Sequence, residues 1–262
     1  MNYFAAAFWA EALKARRSKV TLLTGLGFSL LPLVGGLFMV ILKNPEQAKS
    51  LGLIGAKAQL AAGVADWPTL FLMLRQGGAI GGGVIFAMIT AWVFGREFSD
   101  HTAKELLALP TPREAIVGAK FLLLVLWILL LTLWIVGLEL VIGWLVEIPG
   151  WSVALAQNTF AALLVIAILN FMLMPFVALI ASLGRGYLPP LGWTFLTVAL
   201  AQISVVLGWG EWCPWAVPAL YSGMAGPDAG LPGIGSFVVI AAAFLSGTTA
   251  TFIWWRQADQ AS

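Results

Sequence analysis

From Val20 to Leu42 the chain carries no charged residue, and at about 1.5 Å per helical residue that run can cross the roughly 30 Å hydrocarbon core of a bilayer. A backbone surrounded by lipid must satisfy its own N–H and C=O groups, so such a run specifies a helix. Five further stretches repeat the pattern, at about Gln76 to Phe94, Phe121 to Val146, Thr159 to Leu183, Leu191 to Leu207 and Gly235 to Trp255. Hydrophobic residues make up 61% of the chain and charged residues 10%, with a mean hydropathy of +0.95, which excludes a soluble domain of this size. The expected fold class is all-α, a multi-pass membrane protein with six transmembrane helices in one domain spanning residues 1–262.

The connections carry the information that the spans lack. Residues 1–19 place Phe4, Ala5, Phe8, Trp9, Ala12 and Leu13 on one side of a helix, with Glu11, Lys14, Arg16 and Arg17 gathered toward its end. This predicts an interfacial helix lying on the membrane, with lipid as its partner. Its basic residues come late and the apolar run after them is too long for a signal-peptide core, so the first span is expected to be retained. Lys43 to Trp67 reads as an outer loop lying partly on the membrane, with Trp67 at the interface. Gly77, Gly78, Gly81, Gly82 and Gly83 lie within the second span; no Gly-Lys-Ser/Thr follows them, so they predict close helix packing rather than a phosphate site.

The longest charged break is 95–120. Thr102 with Glu105 forms a capping box for a short amphipathic helix that bears Leu106 and Leu107 and ends at Pro110. Thr111, Pro112 and Glu114 are placed to open the next helix in the same way. Pro175 is a possible kink in the fourth span, and Pro189 and Pro190 open the fifth. Residues 208–233, with Trp209, Glu211, Trp212, Cys213, Pro214, Trp215 and Pro218, are too broken for a spanning helix and too aromatic for a free loop, so they predict an outer interfacial or re-entrant segment. The side holding both termini collects ten basic residues, Lys14, Arg16, Arg17, Lys19, Arg96, Lys104, Arg113, Lys120, Arg185 and Arg256, against Lys43, Lys49, Lys57 and Arg75 on the other. Both termini are therefore expected in the cytoplasm.

Chemistry is sparse. One cysteine and one histidine, Cys213 and His101, offer neither an internal disulfide nor a histidine-built metal site. No hydrolase or zinc-protease motif occurs, so no catalytic residue is expected and the chain is not read as an enzyme. A net charge of +2 gives no reason to expect nucleic acid. Glu139 is the acid well inside a span, about 27 Å along the third at about 1.5 Å per residue. It is read either as structural, paired with Arg75, or as a substrate contact. Asn158, Asn170 and Gln202 read as interhelical hydrogen-bonding groups, with substrate contact as the alternative for Asn170 and Gln202. The thirteen tryptophans read mainly as interface anchors.

Glu97, Phe98, Thr102, Pro110, Arg113 and Lys120 in this order resemble the first cytoplasmic loop of type-2 ATP-binding cassette exporter permeases. The stretch Glu11, Lys14, Arg16, Arg17, Ser18, Lys19 is similar to the elbow helix of the bacitracin-resistance and lantibiotic-immunity members. The resemblance implies a permease subunit in the cell membrane. In it, Glu97, Phe98, Thr102, Leu106, Leu107, Pro110 and Arg113 would dock on a separate ATPase, with Glu97 and Arg113 pairing across that contact. ATP and Mg would be bound by that partner and no cofactor by this chain. It further implies a homodimer, or a heterodimer with a similar permease, that exports a peptide, drug or lipid-like substrate. A non-transporting scaffold or sensor that recruits a soluble partner through 95–120 is the alternative, and a channel or secondary carrier comes third; no internal repeat supports a carrier.

Overall fold

The computed structural model describes residues 3–44, 64–102, 105, 110–226 and 230–257. Its helices are α1 (Tyr3–Arg17), α2 (Lys19–Lys43), α3 (Trp67–Ser99), α4 (Arg113–Val146), α5 (Val153–Leu183), α6 (Leu188–Val206), the short α7 (Val217–Tyr221) and α8 (Ile234–Gln257). Six of them, α2 to α6 and α8, are long and apolar enough to cross a membrane. No strand occurs among the described residues. The all-α six-span expectation holds.

Local chemistry sets the helix boundaries. Ser18 is extended and accepts the Val20 N–H at 3.0 Å, while its own N–H closes α1 on the Ala15 carbonyl. One residue thus ends the first helix and caps the second. Asp66 caps α3 through Thr69 N–H at 2.9 Å, and Ser152 caps α5 through Leu155 N–H at 3.1 Å. Pro189 and Pro190 fall in the first turn of α6, as expected.

Several boundaries differ from the sequence reading. The second span starts at Trp67 rather than near Gln76, because Asp66 and Pro68 provide a helix start and Leu70, Phe71 and Leu74 bury their side chains. Trp67 itself is not an interface anchor. It is buried, packed edge-on against Trp144 and Trp151 with ring centroids 5.8 and 4.7 Å away, and it fits because Gly143 has no side chain to meet its ring. The capping box expected at Thr111 and Glu114 does not form. Pro112 is the cap residue without a side-chain bond, and Glu114 instead meets Arg256 at 3.2 Å. The fourth span starts at Val153, and Asn158 faces outward, not toward a neighbouring helix.

α5 is the hub, packing most extensively on α3 and α8, while α4 holds α1 and α2. The glycine-rich part of α3 permits this. Gly77 and Gly81 face Leu31 of α2, Gly78 faces Leu163 of α5 and Gly82 faces Phe28, with an added Cβ reaching 3.1 to 3.5 Å from these side chains. Close approach replaces side-chain burial there, as packing inside lipid requires. After α6 the chain makes two single 3-10 turns, Gly210–Trp212 and Pro214–Ala216, before α7. No continuous helix runs through Pro214 and Pro218. Trp215 packs against Trp193 and Phe176, 5.7 and 5.8 Å between centroids, and Val217 is fully buried, whereas Trp209 and Trp212 are exposed.

Candidate functional site

Two helix ends frame the charged connection between α3 and α4, and each carries a charge that is inside the protein. Glu97, in the last turn of α3, and Lys120, two turns into α4, are both buried, with Lys120 Nζ 2.8 Å from Glu97 Oε1. Glu11 of α1 reaches the same ammonium at 3.2 Å through Oε2. Lys14, one turn further along α1, closes the ring. Its Nζ lies 2.7 Å from Glu11 Oε1 and 3.0 Å from Glu97 Oε1. Lys120 also donates to the Val93 carbonyl at 2.7 Å, so its three N–H donors all have acceptors.

This arrangement is a neutral quartet, two carboxylates and two ammonium groups, that ties three helices together. A lone buried charge would be expelled or neutralised, whereas a closed network with satisfied donors can persist. Burial pushes Lys14 down, but the carboxylates of Glu97 and Glu11 outweigh it and hold the ammonium above its ordinary value. The quartet changes the reading of Glu97. Its charge is met within the chain by Lys120 and Lys14, so it does not stand free to pair across an external contact.

A second anchor lies beside the first. Phe98 packs edge-on against Trp254 and Trp255 of α8, 5.8 and 6.1 Å between centroids. Arg113, at the start of α4, donates to the carbonyls of Trp255 and Arg256 at 3.2 and 3.1 Å. These belong to the last turn of α8, whose carbonyls have no partner within the helix. Trp255 in turn donates through Nε1 to Ser182 Oγ of α5 at 3.0 Å. The stems of the connection are thus fastened to α1 on one side and to α8 and α5 on the other. Thr102 N–H bonds back to the Glu97 carbonyl at 2.9 Å, and Pro110 is exposed in the bend before α4. Leu106 and Leu107 lie outside the described residues. Arg16 and Arg17 are exposed and take no part in the quartet.

The polar groups inside the spans separate. Asn170 donates to the carbonyls of Gly78 and Ala79 at 3.3 and 3.2 Å and joins α5 to α3, as read from the sequence. Gln202 is exposed and does not join two helices by a side-chain bond among the described residues; it borders a small cavity of about 50 Å3 with Asn170, Thr194 and Thr197. Glu139 is fully buried and neither carboxylate oxygen has a hydrogen-bond partner. The expected pairing with Arg75 is absent. Arg75 reaches the Tyr221 carbonyl at 3.5 Å instead, and Glu139 faces the gap left by Gly35 of α2.

The quartet is not legible in the sequence, although Glu11, Lys14, Glu97 and Lys120 are each candidates there, because a charge near a helix end at the membrane surface reads as an interface residue. A signal was present at Glu11. It lies three residues after Phe8 and four before Ala15 on α1, and both of these pack in the core, so a carboxylate on that face needs an internal partner.

A family profile described as ABC-2 family transporter protein matches residues 7–201, a span that includes the whole quartet and both stems. A bacitracin transport permease protein of Bacillus licheniformis is 29% identical over 179 residues, which cover 67% of this chain and 84% of that protein. No solved structure matches the chain.

Proposed function

This chain belongs to the ABC-2 family of transporter proteins, and from that premise we propose that it is the membrane-spanning permease of an ATP-binding cassette exporter driven by a separate ATPase subunit. Transport by a permease subunit is the part of this reading that family membership carries. The energy source, the substrate and the assembly are the parts proposed here. ATP and Mg would reside on the partner, and the permease would act as a dimer with a second copy or a similar chain, with both termini in the cytoplasm. The relative's name speaks of bacitracin transport. An amphiphilic peptide, drug or lipid-like molecule is the substrate class proposed on that ground.

The observation that carries the coupling role is the quartet. A force applied to the connection between α3 and α4 acts on two stems that are locked to each other and to α1 through Glu97, Lys120, Glu11 and Lys14. The stems then move as one body with the helices they continue into, which converts a docking motion into a change of span packing. Leu106 and Leu107 supply the apolar contact in this proposal. Replacing both by Asp would place unpaired charge in that contact, costing several kcal/mol. The double variant is expected to insert normally, to lose co-purification with the ATPase and to lose transport. Retained ATPase binding and transport in that variant would overturn the reading, and ATP-independent recruitment of a different soluble protein would favour a scaffold.

A further inference from the structure

Two hollows open along α1 and α2, the first of them reaching the quartet at Lys14. One, of about 600 Å3, opens between α1 and the end of α3 and is lined by Lys14, Arg17, Arg96, Asp100, Trp92 and Tyr187 among others. Lys14 belongs to the quartet. Arg96 is paired with Asp100 at 3.1 Å and lies with its guanidinium 5.2 Å from the Trp92 ring. Arg17 is exposed and forms no ion pair among the described residues. It is the positive charge that this hollow leaves uncompensated.

The other hollow, of about 360 Å3, is a groove between α2 and α4 walled by Leu22, Leu26, Leu130 and Trp134 and notched at Gly25. A Cβ at Gly25 would meet nothing within 4 Å, so the notch is open. Two of the polar side chains in this groove are engaged with each other and with the backbone, and Thr21 donates to the Ala15 carbonyl at 2.6 Å. Trp134 Nε1 donates to Ser29 Oγ at 2.8 Å, and Ser29 Oγ donates to the Gly25 carbonyl at 2.7 Å. What the groove offers a ligand is hydrocarbon.

The hollows adjoin. Ser18 lines the first and Thr21, less than one turn further along the chain, lines the second. Trp92 of the first packs edge-on against Trp127 of the second, 5.9 Å between centroids. Because Ser18 marks the point where the first span begins, the basic hollow lies at headgroup level and the groove runs into the hydrocarbon. A ligand filling both has an anion at one end and an alkyl chain at the other.

We propose that the two hollows form one site for an anionic phospholipid, its phosphate held at Arg17 beside the Arg96–Asp100 pair and one acyl chain lying over Gly25 in the α2–α4 groove. Arginine suits this task because its planar fork can bond two phosphate oxygens at once. Free phosphate would satisfy the basic hollow alone, and a zwitterionic lipid would satisfy the groove without the net attraction. Only an anionic lipid meets both halves. The site does not depend on an ATPase, so the fate of this proposal and that of the coupling proposal are separable.

The test uses the purified full chain in detergent, offered equal amounts of phosphatidylglycerol and phosphatidylcholine with identical acyl chains, with retained lipid read by native mass spectrometry. The wild type is expected to retain phosphatidylglycerol several-fold over phosphatidylcholine, and millimolar inorganic phosphate is expected not to displace it. Arg17→Gln is expected to abolish the preference while lipid is still retained. Gly25→Leu, which fills the notch, is expected to lower retention of both lipids. Should that variant fail to insert, Leu22→Trp fills the groove from a position already exposed. Equal retention of the two lipids by the wild type, an unchanged preference in Arg17→Gln, or unchanged retention in the groove-filling variant would each overturn the proposal. Full displacement by inorganic phosphate would also overturn it, since that would show an anion site without a lipid tail.

Discussion

Lys120 is the residue on which the quartet depends most. Its side chain is fully buried and its three donors reach Glu11, Glu97 and Val93, residues of two other helices. Lys120→Met would leave two buried carboxylates facing one remaining ammonium, and removal of one member of a buried ion pair costs about 3–5 kcal/mol. The further change Glu97→Gln removes the excess charge, so the double variant is expected to be more stable than Lys120→Met alone. Thermal unfolding of the four proteins in detergent, treated as a double-mutant cycle, checks this; additive losses would show that the two groups act independently. Lys14 gives a pH signature. Its folded value is raised above the ordinary 10.5, so its contribution is present in full below that value and is lost as pH rises through the folded one. The stability difference between wild type and Lys14→Gln is therefore expected to be flat from neutral pH upward and to shrink only above about 10.5, and unfolding midpoints along an alkaline pH series would show it.

At the scale of the element, glycines decide which helices can touch. Gly143 of α4 faces the Trp67 ring so closely that a Cβ there has no room, whereas a Cβ at Gly137 on the same helix meets nothing within 4 Å. Gly143→Ala is expected to cost about 1–3 kcal/mol by overpacking, and Gly137→Ala to be close to neutral. Trp fluorescence with thermal unfolding checks both, because Trp67, Trp144 and Trp151 form the cluster that Gly143→Ala disturbs. Gly95 is the matching point at the other end of α3. A Cβ there would lie 2.9 Å from the Gly186 carbonyl oxygen, a backbone atom that cannot swing aside, so the end of α3 and the 184–187 turn are fitted to each other.

For the whole molecule, the outstanding matter is which way the bundle faces. The distribution of basic residues is the ground on which we propose that the α3–α4 connection and both termini lie in the cytoplasm. In a variant carrying Cys213→Ser, a cysteine at the exposed Val64 is expected to react with an impermeant thiol reagent added outside intact cells, and one at the exposed Thr102 is not. Labelling at Thr102 alone would reverse the orientation and with it the side on which an ATPase could dock. The same frame places the quartet and the basic hollow at one end of the bundle, and Glu139 with the Trp67 cluster toward the other.

The sequence by itself determined the class, the six spans and the place of their charged connection, because crossing a bilayer imposes a length and a composition on every span regardless of its neighbours. It also located Asn170 and the glycines of α3, whose residue types have few uses inside lipid. Hydropathy set the start of α3 too late, near Gln76 instead of Trp67, because Asp66, Trp67 and Pro68 are polar or interfacial by type and begin the helix through the Asp66 cap and the packing of Trp67, whereas the start of α4 was legible at Thr111 and Pro112. Partners were what the tertiary structure decided. Glu97, Lys120, Glu11 and Lys14 are separated along the chain and meet only when α1, α3 and α4 pack. Glu139 and Arg75, paired on paper, lie on helices whose rotation sends one against Gly35 and the other toward Tyr221. A charge states that it needs a partner, and the packing of the helices selects which one is within reach.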